Sequence, residues 1–266
     1  MRLQLRVDRD EGDSAENTLP GNSAPLPVYA PVRPLTAYLL GPVDFDTLAA
    51  FQRRLVYEVS GDRDRGAVIV CDHPVGITIG RDGSVAHIRP NAEQLALRGW
   101  PVRWVARGGG TMLHVPGQVT CYPILALDAF QLTAGRFVKE LLALAVDLVR
   151  EFGLTGITDD ERPGVLVAGR RLVHIGTAIR RGVTCYGLVV NVNPDLTPFW
   201  DVRCDGDSLP MTSLARESPV RVRITTVRQR LVELLVARFG FDRMSVFHTL
   251  PIPEPQARHH AFSHGS

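Results

Sequence analysis

Apolar residues recur at helical spacing in three stretches of the chain. Over 43–60 the stripe is Leu48, Phe51 and Leu55, with Asp44 or Asp46 available as a cap. Residues 133–153, "TAGRFVKELLALAVDLVREFG", predict a long helix with Thr133 as cap and Gly153 at its end. Residues 225–240 predict an amphipathic helix stopped by Gly240. Between the helices lie short apolar runs that read as strands: "GAVIVCDH", "VRWVARGGGT", "VTCYPILAL" and "VTCYGLVVNVN". "GVLVAGRRLVHIGTAI" reads as two strands joined at "AGR", a hairpin. The pattern predicts an α+β fold, with a central mixed sheet flanked by helices, in one domain over 35–250. Residues 1–34 are polar and rich in Gly, Pro, Ser and Asp, and are read as a flexible arm, with "MRLQLRV" a stray strand at most. Residues 251–266 are read as a flexible tail, and the pair His259 and His260 within it as solvated.

Composition narrows the function classes. The 266 residues are 45% hydrophobic and carry a net charge of +2, enough for a core and too little for a nucleic-acid field. No apolar run approaches the roughly 20 residues that span a bilayer, so neither nucleic acid nor membrane is expected as a partner, and a cytoplasmic location is the default. The four cysteines, Cys71, Cys121, Cys185 and Cys204, form no C-x-x-C pair and no zinc spacing. No metal site and no cofactor is expected. Lys139 is the only lysine, so chemistry that needs a side-chain amine has a single candidate.

The most informative stretch is "RGGGTMLHVPGQ", 107–118. Glycines after an apolar strand let backbone approach a ligand closely, with N–H groups free to point at it. It fits neither G-x-G-x-x-G nor a P-loop. Together with "VTCYPIL", it resembles the signature of the protein octanoyltransferases of lipoate synthesis, R-G-G-x-x-T-x-H-x-P-G-Q followed by Y-P. Arg107, Gly108, Gly109, His114, Pro116, Gly117, Gln118, Tyr122 and Pro123 match, while Met112 replaces a Thr and Val115 a usual Gly. "DHPVGITIGR", "GVLVAGRRLVHIGTAIRRGVTCYGLVVNVNPDLTPF" and "MTSL" continue the likeness in order from residue 36 to about 240.

The resemblance implies the biotin/lipoate protein ligase-like catalytic fold. It also implies transfer of an octanoyl group from octanoyl-acyl-carrier protein to a lysine of lipoyl domains, such as glycine cleavage H protein and 2-oxoacid dehydrogenase E2. In that family the acyl group passes through a cysteine thioester beside a lysine. Here Asp205 falls at the cysteine position, Arg171 at the lysine position, Cys204 at the preceding proline and Tyr186 at a histidine. Three readings stay open. Cys204 has taken over as nucleophile; or the fold and acyl pocket remain without covalent catalysis, leaving an altered transferase or a binding module; or the chain is an ATP-dependent lipoate or biotin ligase. A pocket lined by Arg107, Gly108, Gly109, Gly110, Thr111, Met112, Leu113 and His114, by His174, Ile175 and Gly176, and by Gly187, Leu188 and Val189 is expected to hold the acyl chain. The glycine-loop amides are expected to hold its carbonyl oxygen. Four placements follow. Residues 107–118 border the largest apolar cleft, Lys139 faces solvent, Asp205 pairs with Arg171, and Cys204 points away.

Overall fold

The computed structural model describes residues 32–251; the stray strand and the His259–His260 pair lie outside the described residues. In chain order the elements are β1 (Pro34–Pro42), α1 (Phe45–Gly61), β2 (Gly66–Asp72), β3 (Gly76–Ile79), α2 (Ala92–Leu97), β4 (Val102–Trp104), β5 (Thr111–His114) and β6 (Gln118–Ile124). Then come α3 (Ala134–Glu151), β7 (Ile157–Asp159), β8 (Gly164–Val167), β9 (Arg170–Arg180), β10 (Val183–Asn191), α4 (Leu214–Glu217), α5 (Ile224–Phe239) and β11 (Arg243–Phe247). Eight strands form one sheet in the order β11-β1-β2-β6-β10-β9-β8-β7, and β4-β3-β5 form a small second sheet. β1 pairs in parallel with β2 and with β11, while β2, β6, β10, β9, β8 and β7 pair antiparallel. This is the mixed sheet flanked by helices that the hydrophobic pattern predicts.

The central strands are apolar on both faces because both faces are covered. Val68 and Val70 of β2 point into the core shared with α3 and α5, while Ala67, Ile69 and Cys71 point to α1. α3 is anchored by Phe137, Leu141, Leu144 and Leu148, all fully buried, each worth about 1.5–3 kcal/mol relative to exposure. Its N-terminus is capped by Thr133, whose hydroxyl accepts the Arg136 N–H at 3.2 Å. Asp44 caps α1 by accepting the Thr47 N–H at 2.9 Å. The β8–β9 hairpin turns on Ala168 and Gly169, both at positive φ (47° and 72°), as a tight two-residue turn requires. β4 is the strand read in "VRWVARGGGT", whereas β1, β3, β5 and β11 escape the pattern, being short or flanked by Pro and Gly.

Candidate functional site

The glycine loop 107–110 leads into β5 and lies over β9. Arg107 runs across Gly176, where a Cβ would lie 2.9 Å from the Gly108 carbonyl oxygen and 3.1 Å from the Arg107 Cδ, so glycine is needed beneath the loop. Arg107 Nη2 donates to the Thr78 hydroxyl at 2.9 Å, and that hydroxyl lies 3.1 Å from His114 Nε2. A guanidinium only donates, so the Thr78 hydrogen is free to go to His114 Nε2. Burial, followed by the neighbouring His73, Arg107 and His174, holds His114 well below the usual histidine range, so the ring is neutral. When Thr78 donates to Nε2, the His114 hydrogen sits on Nδ1, and Nδ1 is buried and has no partner. The neighbouring His73 donates from Nδ1 to the Val43 carbonyl at 2.8 Å and accepts from the Tyr122 hydroxyl at 3.1 Å.

The loop amides do not wait for a ligand. Gly108 N–H donates to the Thr177 carbonyl at 2.8 Å, Gly109 N–H to the Asp82 carboxylate at 3.0 Å, and Gly110 N–H to Asp205 Oδ1 at 2.8 Å. The expectation that they hold an acyl oxygen is corrected on this point. The loop packs against the segment carrying Asp205, where a Cβ on Gly110 would lie 2.7 Å from the Asp205 Cα.

Asp205 sits in the left-handed region, φ 53°, followed by Gly206 at 73°. The turn throws its carboxylate towards the glycine loop, where Oδ2 lies 2.9 Å from His174 Nδ1. Burial works against ionisation, but the His174 hydrogen bond and charge, the Gly110 N–H and Arg107 outweigh it and bring the carboxyl to about 2. His174 is 1% exposed, on the face of β9 opposite Val173 and Ile175, which point into the main core. Its Nε2 is buried without a partner.

The expected pairing of Asp205 with Arg171 does not occur. Arg171, fully buried, donates from Nη2 to Asp159 at 2.7 Å and to Asp207 at 3.0 Å, and from Nη1 to the Arg162 carbonyl at 3.0 Å. A buried guanidinium needs more than one acceptor, and Asp207 and the β7 terminus supply them. The left-handed turn sends Asp205 the other way. Asp159 and Asp207 were not singled out in the sequence, although an arginine among apolar strand residues signals hidden carboxylates. Cys204 lies in the small-sheet core with Ile77, Ile79, Leu113, Val115 and Val202, and burial pushes its thiol up to about 12. Cys71, Cys121 and Cys185 are also buried, and burial raises each thiol. Lys139 is exposed on α3.

The space around the loop also departs from expectation. Arg107, Met112, His114, Gly176, Gly187 and Val189 meet Phe45, Tyr122 and Tyr186 around a remnant of only about 10 Å³. Tyr186 is at φ 59°, which breaks the alternation of β10, and it packs on the α1 face with Cys185. Gly108, Gly109, Ile175 and Gly176 border an open cleft of about 450 Å³. Leu113 and Leu188 belong to hydrophobic cores, because strand alternation turns them from the pocket. Thr111 bonds the Ser84 backbone. A larger cavity, about 560 Å³, lies elsewhere, between Phe199, Trp200, Met211 and a rim of Arg89, Arg170, Arg203 and Arg216. Aromatic side chains filling the site are the reason the 107–118 stretch does not border it. Among the described residues no group of three or more His, Cys, Asp or Glu is placed to hold a metal ion, and no helix is long and apolar enough to cross a membrane.

An eight-stranded mixed sheet, a small side sheet and an arginine-glycine loop laid over one strand define the biotin/lipoate protein ligase-like catalytic fold. Lipoate-protein ligase A bound with ATP has this fold (TM-score 0.62, 16% identity, 80% of this chain and 89% of that one). So does a bi-partite lipoate protein ligase from Thermoplasma acidophilum (TM-score 0.56, 14% identity, 82% and 88%). Residues 44–236 match the lipoyl protein ligase A/B catalytic domain, and the chain belongs to that family, among its octanoyltransferases. An octanoyltransferase of Desulfotalea psychrophila is 33% identical over 205 residues, 76% of this chain and 92% of the relative. One of Chloroflexus aggregans is 34% identical over 212 residues, 78% and 96%.

Proposed function

We propose that this protein recognises octanoyl groups carried on acyl-carrier protein, in the lipoylation of lipoyl domains, through an active site that has abandoned the enzyme thioester. On this reading Asp205 stands where the family carries its cysteine, and Arg171 where it carries its lysine. The observation that carries the reading is the Asp205 carboxylate, bonded to both Gly110 N–H and His174 beside the glycine loop. A carboxylate there forms no thioester, and its charge opposes an oxyanion at the same amide. Cys204 offers no substitute, since the thiolate is the nucleophile and this thiol is buried and raised to about 12. The ATP-dependent ligase reading lacks its lysine, because position 171 is arginine and Lys139 is exposed on α3. A second reading, a non-catalytic acyl- or partner-binding module, draws on the closed pocket of about 10 Å³.

The test is intact mass spectrometry of the full chain incubated with octanoyl-acyl-carrier protein, alongside native mass spectrometry of the mixture. The expected result is a non-covalent complex and no hydroxylamine-labile adduct. A labile adduct mapped to Cys204 overturns the reading.

A further inference from the structure

Two buried imidazole nitrogens in this site have no hydrogen-bond partner: His174 Nε2 and His114 Nδ1. A buried polar atom without a partner is costly, and in a native site it calls for an explanation. Their chemistry is complementary. His174 Nδ1 lies 2.9 Å from Asp205 Oδ2. An ionised carboxylate only accepts, so the hydrogen of this contact belongs to Nδ1, and in the neutral ring Nε2 is left as a bare acceptor. His114 has the opposite tautomer, with its free hydrogen on Nδ1. One nitrogen is thus ready to take a proton and the other to donate a hydrogen bond.

Both belong to the same place. Val189 is directly opposite His174 in the β9–β10 register, and Gly176 follows two residues along the same face. Val189, Gly176 and His114 all line the closed pocket, and Gly176 also borders the 450 Å³ cleft. Gly176, two residues from His174 on the same strand, is thus shared by the closed pocket and the cleft.

We propose that His174 Nε2 is the general base of a direct acyl transfer from a thioester to an amine, with Asp205 as its positioning group and His114 Nδ1–H as hydrogen-bond donor to the developing oxyanion. The proposal rests on the acyl-recognition reading above. In the step, the neutral amine nitrogen attacks the thioester carbonyl carbon while His174 Nε2 takes its proton. The C–N bond forms and the carbonyl electron pair moves to oxygen. As the pair returns, the C–S bond breaks, and the departing thiolate receives the proton from the His174 imidazolium. Thioester and amine become amide and thiol, and no oxidant, reductant or metal is needed. Asp205 remains ionised throughout, fixing the tautomer and steadying the imidazolium, as a carboxylate does for a histidine base elsewhere.

The experiment follows octanoyl transfer from octanoyl-acyl-carrier protein to a lipoyl domain by mass spectrometry, with ¹⁵N chemical shifts of the imidazoles measured on the full chain. Wild-type protein is expected to make the amide, and Lys139→Arg to match it. His174→Gln is expected to lower kcat by about 100-fold or more with little change in KM. Asp205→Asn is expected to lower kcat as well and to redistribute the His174 proton between the two nitrogens. The wild-type spectrum is expected to show the His174 hydrogen on Nδ1, bonded to Asp205, and not on Nε2. A protonated Nε2 overturns the proposal whether or not the variants fold. So does a His174→Gln rate within threefold of wild type, and so does binding of octanoyl-acyl-carrier protein without transfer. That last result leaves the acyl-recognition reading standing, whereas a cysteine adduct, or no binding at all, removes both.

Discussion

Asp205 tolerates its backbone better than most residues would. At φ 53° and ψ 16° it is in the left-handed region, where Asp and Asn are several-fold enriched because their short polar side chains bond locally. This matters for choosing substitutions. Asp205→Asn keeps the turn, so its effects report the lost charge rather than a broken loop. Asp205→Cys carries a left-handed penalty of about 1–2 kcal/mol, yet sets a thiol beside His174 and near Arg107. A thiol next to an imidazole gives up its proton readily, and the resulting thiolate is the reactive form. The expected outcome is a hydroxylamine-labile octanoyl adduct on residue 205 after incubation with octanoyl-acyl-carrier protein, where wild type gives none. A folded Asp205→Cys protein that stays unmodified would contradict the placement of the acyl carbonyl at this turn.

At the scale of elements, β9 holds the site together through Arg171 near its start and His174 to Thr177 at its middle. Arg171 at one end ties Asp159 of β7 and Asp207 of the following loop to the strand, and its backbone joins Pro210 and Thr212. Arg171→Met strands two carboxylates, and a loss of about 3–5 kcal/mol in urea unfolding is expected. Arg171→Lys is expected to lose less, since one ammonium replaces only part of the guanidinium's fork. Midway along the strand, the glycine loop meets the 204–206 turn so closely that Gly110→Ala must push them apart. The expected cost is about 1–3 kcal/mol, with a changed His174 imidazole spectrum as the specific sign. A Gly110→Ala protein with wild-type stability and an unchanged spectrum would show that the contact is not needed. The helices α1, α3 and α5 and the β8–β9 hairpin are legible in the sequence, because caps, periodicity and turn residues agree there. A glycine loop after β4, tight enough to need its glycines, is legible too. The partner of Asp205 is not. Alternation along an extended chain says nothing about a left-handed turn, and a charge match between positions 171 and 205 ignores carboxylates that lie nearer to Arg171 in space. The closed pocket also escapes the sequence, since it depends on Tyr186 leaving the strand pattern and on Phe45 at the start of α1.

For the whole molecule, these buried ion pairs set an acid limit. Asp205 is brought to about 2 from the ordinary 3.8, the desolvation being outweighed by His174, Gly110 and Arg107. Asp159 is likewise held below its ordinary value, with desolvation again outweighed, here by the Arg162 backbone and Arg171. Both groups bind a proton more weakly folded than unfolded. Their stabilisation is therefore complete above about pH 4 and is lost as the pH falls through the folded value, about 2 for Asp205. Bringing the Asp205 carboxyl from 3.8 to about 2 corresponds to about 2 kcal/mol. The exposed Asp46 and Asp128 are also held below their ordinary value, by Arg103 and Arg63, but such pairs are screened by salt. Urea unfolding at high salt, repeated at a series of pH values, separates the two. The wild-type unfolding free energy is expected to begin falling below about pH 6.5, where His114 and His73 stay neutral in the folded protein but take up protons on unfolding, and to fall further between about pH 4 and pH 2 as the carboxylates titrate. Asp205→Asn cannot titrate at this position, so its fall is expected to be shallower by about 2 kcal/mol across that window. Parallel curves for the two proteins at high salt would mean that the Asp205 carboxylate is no more stable folded than unfolded. Its contacts with Gly110 and His174 would then not be what holds the 204–206 turn against the glycine loop.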